Sequence, residues 1–393
     1  MPIYLEARHV PNDAATKEQL NELLSDALME PEFYQLATAQ GNTLTIAGVK
    51  DYPIEITSGV RIDRRDIKAE HEEADLIITQ QAILSSVQNK KVVVVSEDTD
   101  VFAMLLHFYK INECSESMYM ASPKNRSSKN QELSGERHVI DIKDTAEKHA
   151  ELSKFILQVH ALTGADTVPA LYRIGKKKAL NALSCFQVKS RKVASGFFNP
   201  EILSPIGDVT AEMNNVLEAG SQFMLACYGK AYFTTCSSVT EARVKVWRKK
   251  IAVGPVKLCE LPPTNEAAAE KIKRAHLQVA HWMTALSGVP PSLNPLHYGF
   301  EAQQTEKGPI FTPLPVPHGI KDAPDIVCEL IHCGCEKSQC LSQSCKCSTI
   351  GCTVFCKCEA GPNCKNPLTT RTTEGEDDKG GNIVSEPATE DTT

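Results

Sequence analysis

The chain has 393 residues, enough for two or more domains with substantial cores. Hydrophobic residues make up 42% and charged residues 23%, a soluble, globular balance, and no apolar run approaches the ~18 residues of a membrane span, so a membrane partner is excluded. The net charge is −7, but the stretch from Thr373 onward carries nearly all of it, with seven acids against Lys379; a polyanionic partner for the rest of the chain is not excluded.

The start, "MPIYLEARHV", has no basic segment followed by an apolar one, so the sequence predicts no secretion signal and a cytosolic or nuclear setting. Residues 16–37 predict helix, with Leu20, Leu23, Leu24, Ala27 and Leu28 on one stripe. "NTLTIAG" and "YPIEITSGV" alternate as two strands of a hairpin. A helix over Glu72–Val87 opens on acids and buries Ala74, Ile77, Ile78 and Ala82. The run Val92–Val95 is a strand, expected at the centre of its sheet, and a helix follows over about Val101–Tyr109. Residues 123–137 are a polar loop, "HVIDI" is a short strand, and residues 145–159 form one helix that turns out through "ALTGADTVPALYRIGKKKAL". Alternating strands and helices predict an α/β domain with a mixed, mostly parallel sheet covered on both faces. Residues 201–327 read as a mainly helical region without chemistry, in which Trp247 and Trp282 are core residues. The acidic tail, 368–393, has the composition of a disordered segment.

Three acidic groups carry the first chemical signal. Ligands in open α/β sheets bind beyond the carboxyl ends of strands, where "VVVVSEDTD" places Glu97, Asp98 and Asp100. "HEEAD" puts Glu72, Glu73 and Asp75 at the start of the preceding helix, and "TGADT" puts Asp166 in a Gly-containing turn. For one acid alone the plain reading is a solvated turn, with Asp98 capping the next helix. Carboxylates from several segments are instead what two divalent ions ~4 Å apart require in phosphodiester hydrolysis, with Mg²⁺ or Mn²⁺ as the hard cations. From Thr167 to Pro200 there is no acid, while Arg173, Lys176, Lys177, Lys178, Lys189, Arg191 and Lys192 are present.

The order "HEEAD", "VVVVSEDTDVFAML", "TGADTVPALYRIGKKKAL" resembles the internal nuclease region of the flap-endonuclease family within the PIN-like superfamily, over roughly residues 70–185. The resemblance implies Glu73, Asp75, Asp98, Asp100 and Asp166 as metal-binding catalytic carboxylates, leaves Glu97 unmatched, and assigns residues 164–190 to a helix–turn–helix that grips duplex phosphates. Gly175, Lys176, Lys177 and Lys178 would make that contact through backbone approach, helix-start amides and charge. DNA is the implied partner and RNA the alternative. Flap nucleases also begin with a strand carrying a further metal-binding Asp; ahead of "HEEAD" the first acids, Glu6 and Asp13, stand in no matching context. The same blocks resemble a subgroup found in mobile-element-derived proteins, in which a helical region and a cysteine-rich end follow.

Cysteine is the strongest compositional signal: 15 in all, ten of them between Cys328 and Cys364. Cys333, Cys335, Cys340, Cys345, Cys347, Cys352, Cys356, Cys358 and Cys364 form a set rich in C-x-C pairs. Nine thiolates supply three tetrahedral zinc ions if three of them bridge, and so short a segment needs metal to fold. The spacing resembles the CXC domain of the tesmin/TSO1-like family, which implies DNA contact; Lys337 and Ser338 match its K-S, but Ser344 stands where that family places a Tyr, so general contact of Lys337 with phosphates is expected over base reading, with a purely structural or protein-binding module as the rival. Cys328 and His332 stay outside the cluster.

The sequence therefore predicts a PIN/flap-nuclease-like domain over 1–200, a helical region over 201–327, a zinc domain over 328–367 and the tail, in a nuclear or cytoplasmic protein, with the nucleus favoured. Two functions follow: a metal-dependent nuclease acting on DNA, or a catalytically inactive, mobile-element-derived DNA-binding or scaffold protein. A phosphoacceptor domain with Asp98 as acceptor is a third, but it lacks an identifiable basic partner.

Overall fold

The computed structural model describes residues 14–48, 50–88, 91–123, 137–183, 196–252, 256–305 and 308–317, and, further on, 347–348, 351–352, 356, 364, 366 and 368. Contacts divide the chain into two units, Met1–Pro317 and His318–Thr393. The first is a mixed α/β body with small sheets; among its described residues no helix is long and apolar enough to cross a membrane.

Two helices open it, α1 (Ala14–Met29) and α2 (Pro31–Ala37). The break between them falls where Glu30 takes extended backbone and Pro31 starts the next helix, the position at which a missing N–H costs nothing. Leu23, Leu24 and Leu28 of the α1 stripe are exposed, as are Phe33 and Leu36 on α2. A three-stranded antiparallel sheet follows: β1 (Thr43–Ile46), β2 (Ile54–Thr57) and β3 (Val60–Asp63), in that order. The third strand extends the expected hairpin across the Ser58–Gly59 turn.

Next come α3 (Ala74–Val87), β4 (Val92–Val95), α4 (Thr99–Ile111), β5 (Met118–Pro123) and β6 (Arg137–Asp141). Strand β4 pairs with β5 in parallel, and β5 with β6 antiparallel, giving the order β4-β5-β6. Two expectations change here. Among the described residues the sheet is mixed but not mostly parallel, and the valine run is its edge strand rather than its centre. Val94 is buried while Val93 and Val95 are 59% and 58% exposed: strand side chains alternate faces, and only one face of this sheet meets the core. Helix α4 links the parallel pair as a βαβ crossover. It is apolar around its circumference and buries Val101 and every residue from Ala103 to Tyr109.

The helix read over 145–159 is two, α5 (Ile142–Lys148) and α6 (Ala150–Thr163), because His149 leaves the helical region at φ −123°, ψ 41°. After the five-residue α7 (Lys176–Leu180) come α8 (Met213–Tyr228), α9 (Lys230–Thr235), α10 (Val239–Ile251) and α11 (Asn265–Met283). A hairpin not foreseen in the helical region, β7 (Phe300–Thr305) with β8 (Gly308–Pro313), ends the unit. Trp282 is buried as expected, but Trp247 is exposed on α10.

One core runs from Leu76 to Ala285. It includes Leu105 and Leu157 on one side of residue 200, and Phe223, Ile272 and Trp282 on the other. The α/β portion and the helices that follow therefore pack as one body. Helix α11 binds them together: Ala268, Ile272, Ala275, Val279 and Trp282 recur at helical spacing and are buried.

Candidate functional site

The acids at the end of β4 are positioned by a local relay. Ser96 makes the last sheet contact, its N–H donating to Ala121 O, and its Oγ accepts from the Asp98 N–H at 3.1 Å. Asp98 then caps α4, Oδ1 accepting from the Asp100 N–H at 2.8 Å. The capping role weighed for Asp98 is thus real, and it occupies one carboxylate oxygen. Asp100, in the first turn, presents Oδ1 to His160 Nε2 at 2.6 Å. His160 is buried near the end of α6, against the Trp282 ring at 5.6 Å.

Glu73 and Asp75 occupy the same positions on α3, as N-cap and first-turn residue. Two helix N-termini thus supply four of the five carboxylates, and their positive dipole ends partly offset the gathered negative charge. That charge is felt. Burial, followed by the charges of Asp98, Asp100 and Asp166, pushes the Asp75 carboxyl up to about 6. Glu73, whose side chain is exposed, is also raised, by desolvation first and then by Asp75, Asp100, Asp166 and Glu72.

Asp166 sits in a tight turn closed by reciprocal bonds between Ala165 and Val168, each N–H donating to the other's carbonyl at 3.0 Å. Gly164 opens the turn at φ 129°, and a Cβ there would stand 2.9 Å from that of Ala170. Helix α11 holds the turn from behind: Lys271 donates to Pro169 O and Thr167 to Gln278 Oε1. Just beyond the end of α11, the chain holds the first acidic group too. His71 Nε2 pairs with Thr284 O at 3.1 Å, and the Glu70 N–H donates to Gly288 O at 2.7 Å. The region read as lacking chemistry is therefore what fixes two of the three acidic groups.

A cleft of about 630 Å³ is lined by Glu97, Asp98, Asp100, Asp166, Gly175 and Lys176 among others. Glu97, unmatched in the sequence comparison, does line it. Lys176, read as a phosphate contact, turns inward: Nζ donates to Gly164 O at 2.8 Å, and burial lowers its pKa against the pull of Asp100. Lys177 and Lys178 are exposed. Gly175 has ordinary negative φ, and a Cβ on it would touch nothing within 4 Å. Packing does not demand the glycine, and the surface above it is open.

Hard oxygen donors whose mutual repulsion is only partly relieved fit a divalent cation. The carboxylates converge in electrostatic reach rather than in contact: among the described residues, no three of their oxygens lie within 4.8 Å of one another. His160, Lys271, Gln278 and His71 were missed from sequence. The one available signal was for His160, an imidazole on an apolar helix six residues before Asp166, which needs a partner once buried.

In the second unit, Cys347, Cys352 and Cys356 are buried with their sulfurs within 4.8 Å of one another. Cys347 Sγ lies 3.6 Å from Cys356 Sγ, near the ~3.8 Å that two thiolates on one tetrahedral ion keep at a metal–sulfur bond of ~2.3 Å. Asn366 Nδ2 donates to Cys347 O at 2.6 Å and approaches Cys352 Sγ at 3.7 Å. Cys364 is buried nearby in sequence. This triad has the donors for a metal ion. Cys333, Cys335, Cys340, Cys345, Cys358 and Lys337 lie outside the described residues, as do Lys189, Arg191, Lys192 and the acidic tail beyond Leu368.

Comparison with protein-family models, curated proteins and solved structures finds no match for this chain.

Proposed function

We propose that the first unit is a divalent-metal-dependent phosphodiesterase acting on nucleic acid, of PIN/flap-nuclease-like type. The observation that carries this reading is the convergence of acids from three separate segments: Asp98, Asp100 and Asp166 line one cleft, and their charges help to raise Asp75, those of Asp100 and Asp166 also Glu73, on the neighbouring α3. Bound Mg²⁺ or Mn²⁺ would neutralise the phosphate and supply an activated water. The chain's own part is positioning. His160 fixes one oxygen of Asp100 and leaves the other toward the cleft; the Asp98 cap sets the angle at which both acids leave the strand. Lys176 places an ammonium in the cleft within the field of Asp100, where it can meet a phosphate oxygen. The thiol triad supports the zinc reading of the second unit, with the nine cysteines holding three ions.

The test is incubation of the purified chain with labelled flap, nicked and single-stranded DNA, and matching RNA, in Mg²⁺ or Mn²⁺. Cleavage by the wild type, lost in Asp75→Asn and Asp100→Asn, is expected; absence of cleavage, or equal cleavage by all three, rejects the reading. A second reading, a catalytically inactive nucleic-acid-binding or scaffold protein, is favoured by the spacing of the carboxylates, no three of which meet within 4.8 Å among the described residues. It predicts binding without cleavage in the same assay.

A further inference from the structure

On the other side of segment 172–178 lies a second cavity of about 610 Å³. The segment divides its side chains between the two: Gly175 and Lys176 face the acidic cleft, while Tyr172, Arg173 and Lys178 line the second cavity. The far wall is built by Tyr228 and Tyr232 from the junction of α8 and α9, and by Lys249 and Lys250 at the end of α10. Rings and cations are interleaved: the Arg173 guanidinium lies 5.2 Å from the Tyr172 centroid, and Lys178 Nζ 5.9 Å from that of Tyr228. The lining holds one acid, Glu260, whose carboxylate pairs with Lys250 and, at 3.6 Å, with Arg173. Four cations thus face one counter-charge, a residue or two along the chain from a cleft lined by acids.

Aromatic faces among cations suit a ligand with a flat base and a phosphate on the same unit. Between Arg173 and Lys178 the segment carries Gly175, which lines the acidic cleft and has nothing within 4 Å of a Cβ position, so the backbone there is open to the approach of a chain-like ligand. We propose that this cavity holds an unpaired nucleotide of a single-stranded nucleic acid, its base against the tyrosines and its phosphates on Arg173, Lys178 and Lys249. The same strand then crosses Gly175 to the acidic cleft. The choice of nucleic acid rests on the phosphodiesterase reading, but binding in the cavity requires no cleavage. A strand phosphate would take over from Glu260 as the partner of Arg173 and Lys250.

The experiment measures binding of the full chain to a labelled oligothymidylate by fluorescence anisotropy, in EDTA and over a range of salt, beside an abasic strand of equal length. Tyr172→Leu, an exposed position, should weaken binding by about fivefold to more than a hundredfold, the range for loss of one stacked base. Lys178→Ala should reduce the slope of log K against log salt by about 0.7. Glu260→Gln should tighten binding more than Glu212→Gln, an exposed control. Equal affinity for the abasic strand, or wild-type binding by Tyr172→Leu, overturns the proposal. Binding without cleavage in Mg²⁺ would reject the phosphodiesterase and leave the cavity assignment standing. Cleavage with unaltered binding by the tyrosine and lysine variants would do the reverse.

Discussion

Asp100 is the acid whose surroundings are most fully built. Its carboxylate is held by a buried imidazole, which is itself packed on an indole. Removing that support leaves Asp100 in place but free to turn. His160→Ala is therefore expected to lower metal-dependent cleavage by about 10–100-fold and to raise the Mg²⁺ concentration required, measured by metal titration of the rate. Lys271 makes a different argument. Burial lowers its pKa to about 7, with Arg274 adding to the shift. Folding then disfavours a proton that the unfolded chain holds up to about pH 10.4. Between these values the unfolded state binds more protons, so the residue's contribution to stability rises with pH; below about pH 7 the cost of burying the ammonium is present in full. In urea unfolding at pH 6, 8 and 9.5, Lys271→Met should show a smaller gain in stability with pH than the wild type.

At the scale of elements, α11 and the turn after it act as a brace. The helix carries a buried apolar stripe, yet it also buries Lys271 and Gln278, held on the Asp166 turn, Arg274, which donates to Gly299 O at 2.8 Å, and His276, whose Nδ1 accepts from the Gly207 N–H at 2.9 Å. Buried polar groups of this kind specify a register, because any slip leaves them unpaired. The turn after the helix closes on the segment before α3 at Gly288, whose φ is +67° and where a Cβ would fall 1.8 Å from Lys68 O. Gly288→Ala must move backbone and is expected to cost about 2 kcal/mol or more, read from chemical denaturation. The same variant should lose cleavage more steeply than stability, since Glu73 and Asp75 follow directly.

For the first unit as a whole, the continuous core from Leu76 to Ala285 decides what can fold alone. Residues 1–200 would leave behind Phe223 and Phe233, the rings against Phe198, and Trp282, the ring against His160. That fragment is expected to show no cooperative thermal transition, whereas 1–317 should unfold in one step, checked by calorimetry. For the second unit, elemental analysis of the full chain should give about three zinc ions from the nine-thiolate ligand count, with one or none rejecting the cluster.

The sequence by itself determined the local structure at the acids. A valine run before "SEDTD", acids opening two helices and a glycine turn around Asp166 are short-range features, governed by strand propensity, helix capping and turn chemistry. It also determined the clustering of thiols, because ligand spacing in so short a segment is itself sequence. Only the tertiary structure decided the rest. That β4 is an edge strand depends on which strands pair, and that Lys176 turns inward depends on a carbonyl made available by the Gly164 turn. The joining of Asp100 to His160, of the Asp166 turn to α11, and of Tyr172 to rings from α8 and α9 links positions 60 to more than 100 residues apart for the first two pairs. No local pattern carries such a link, because the energy that selects it comes from burying both partners at once.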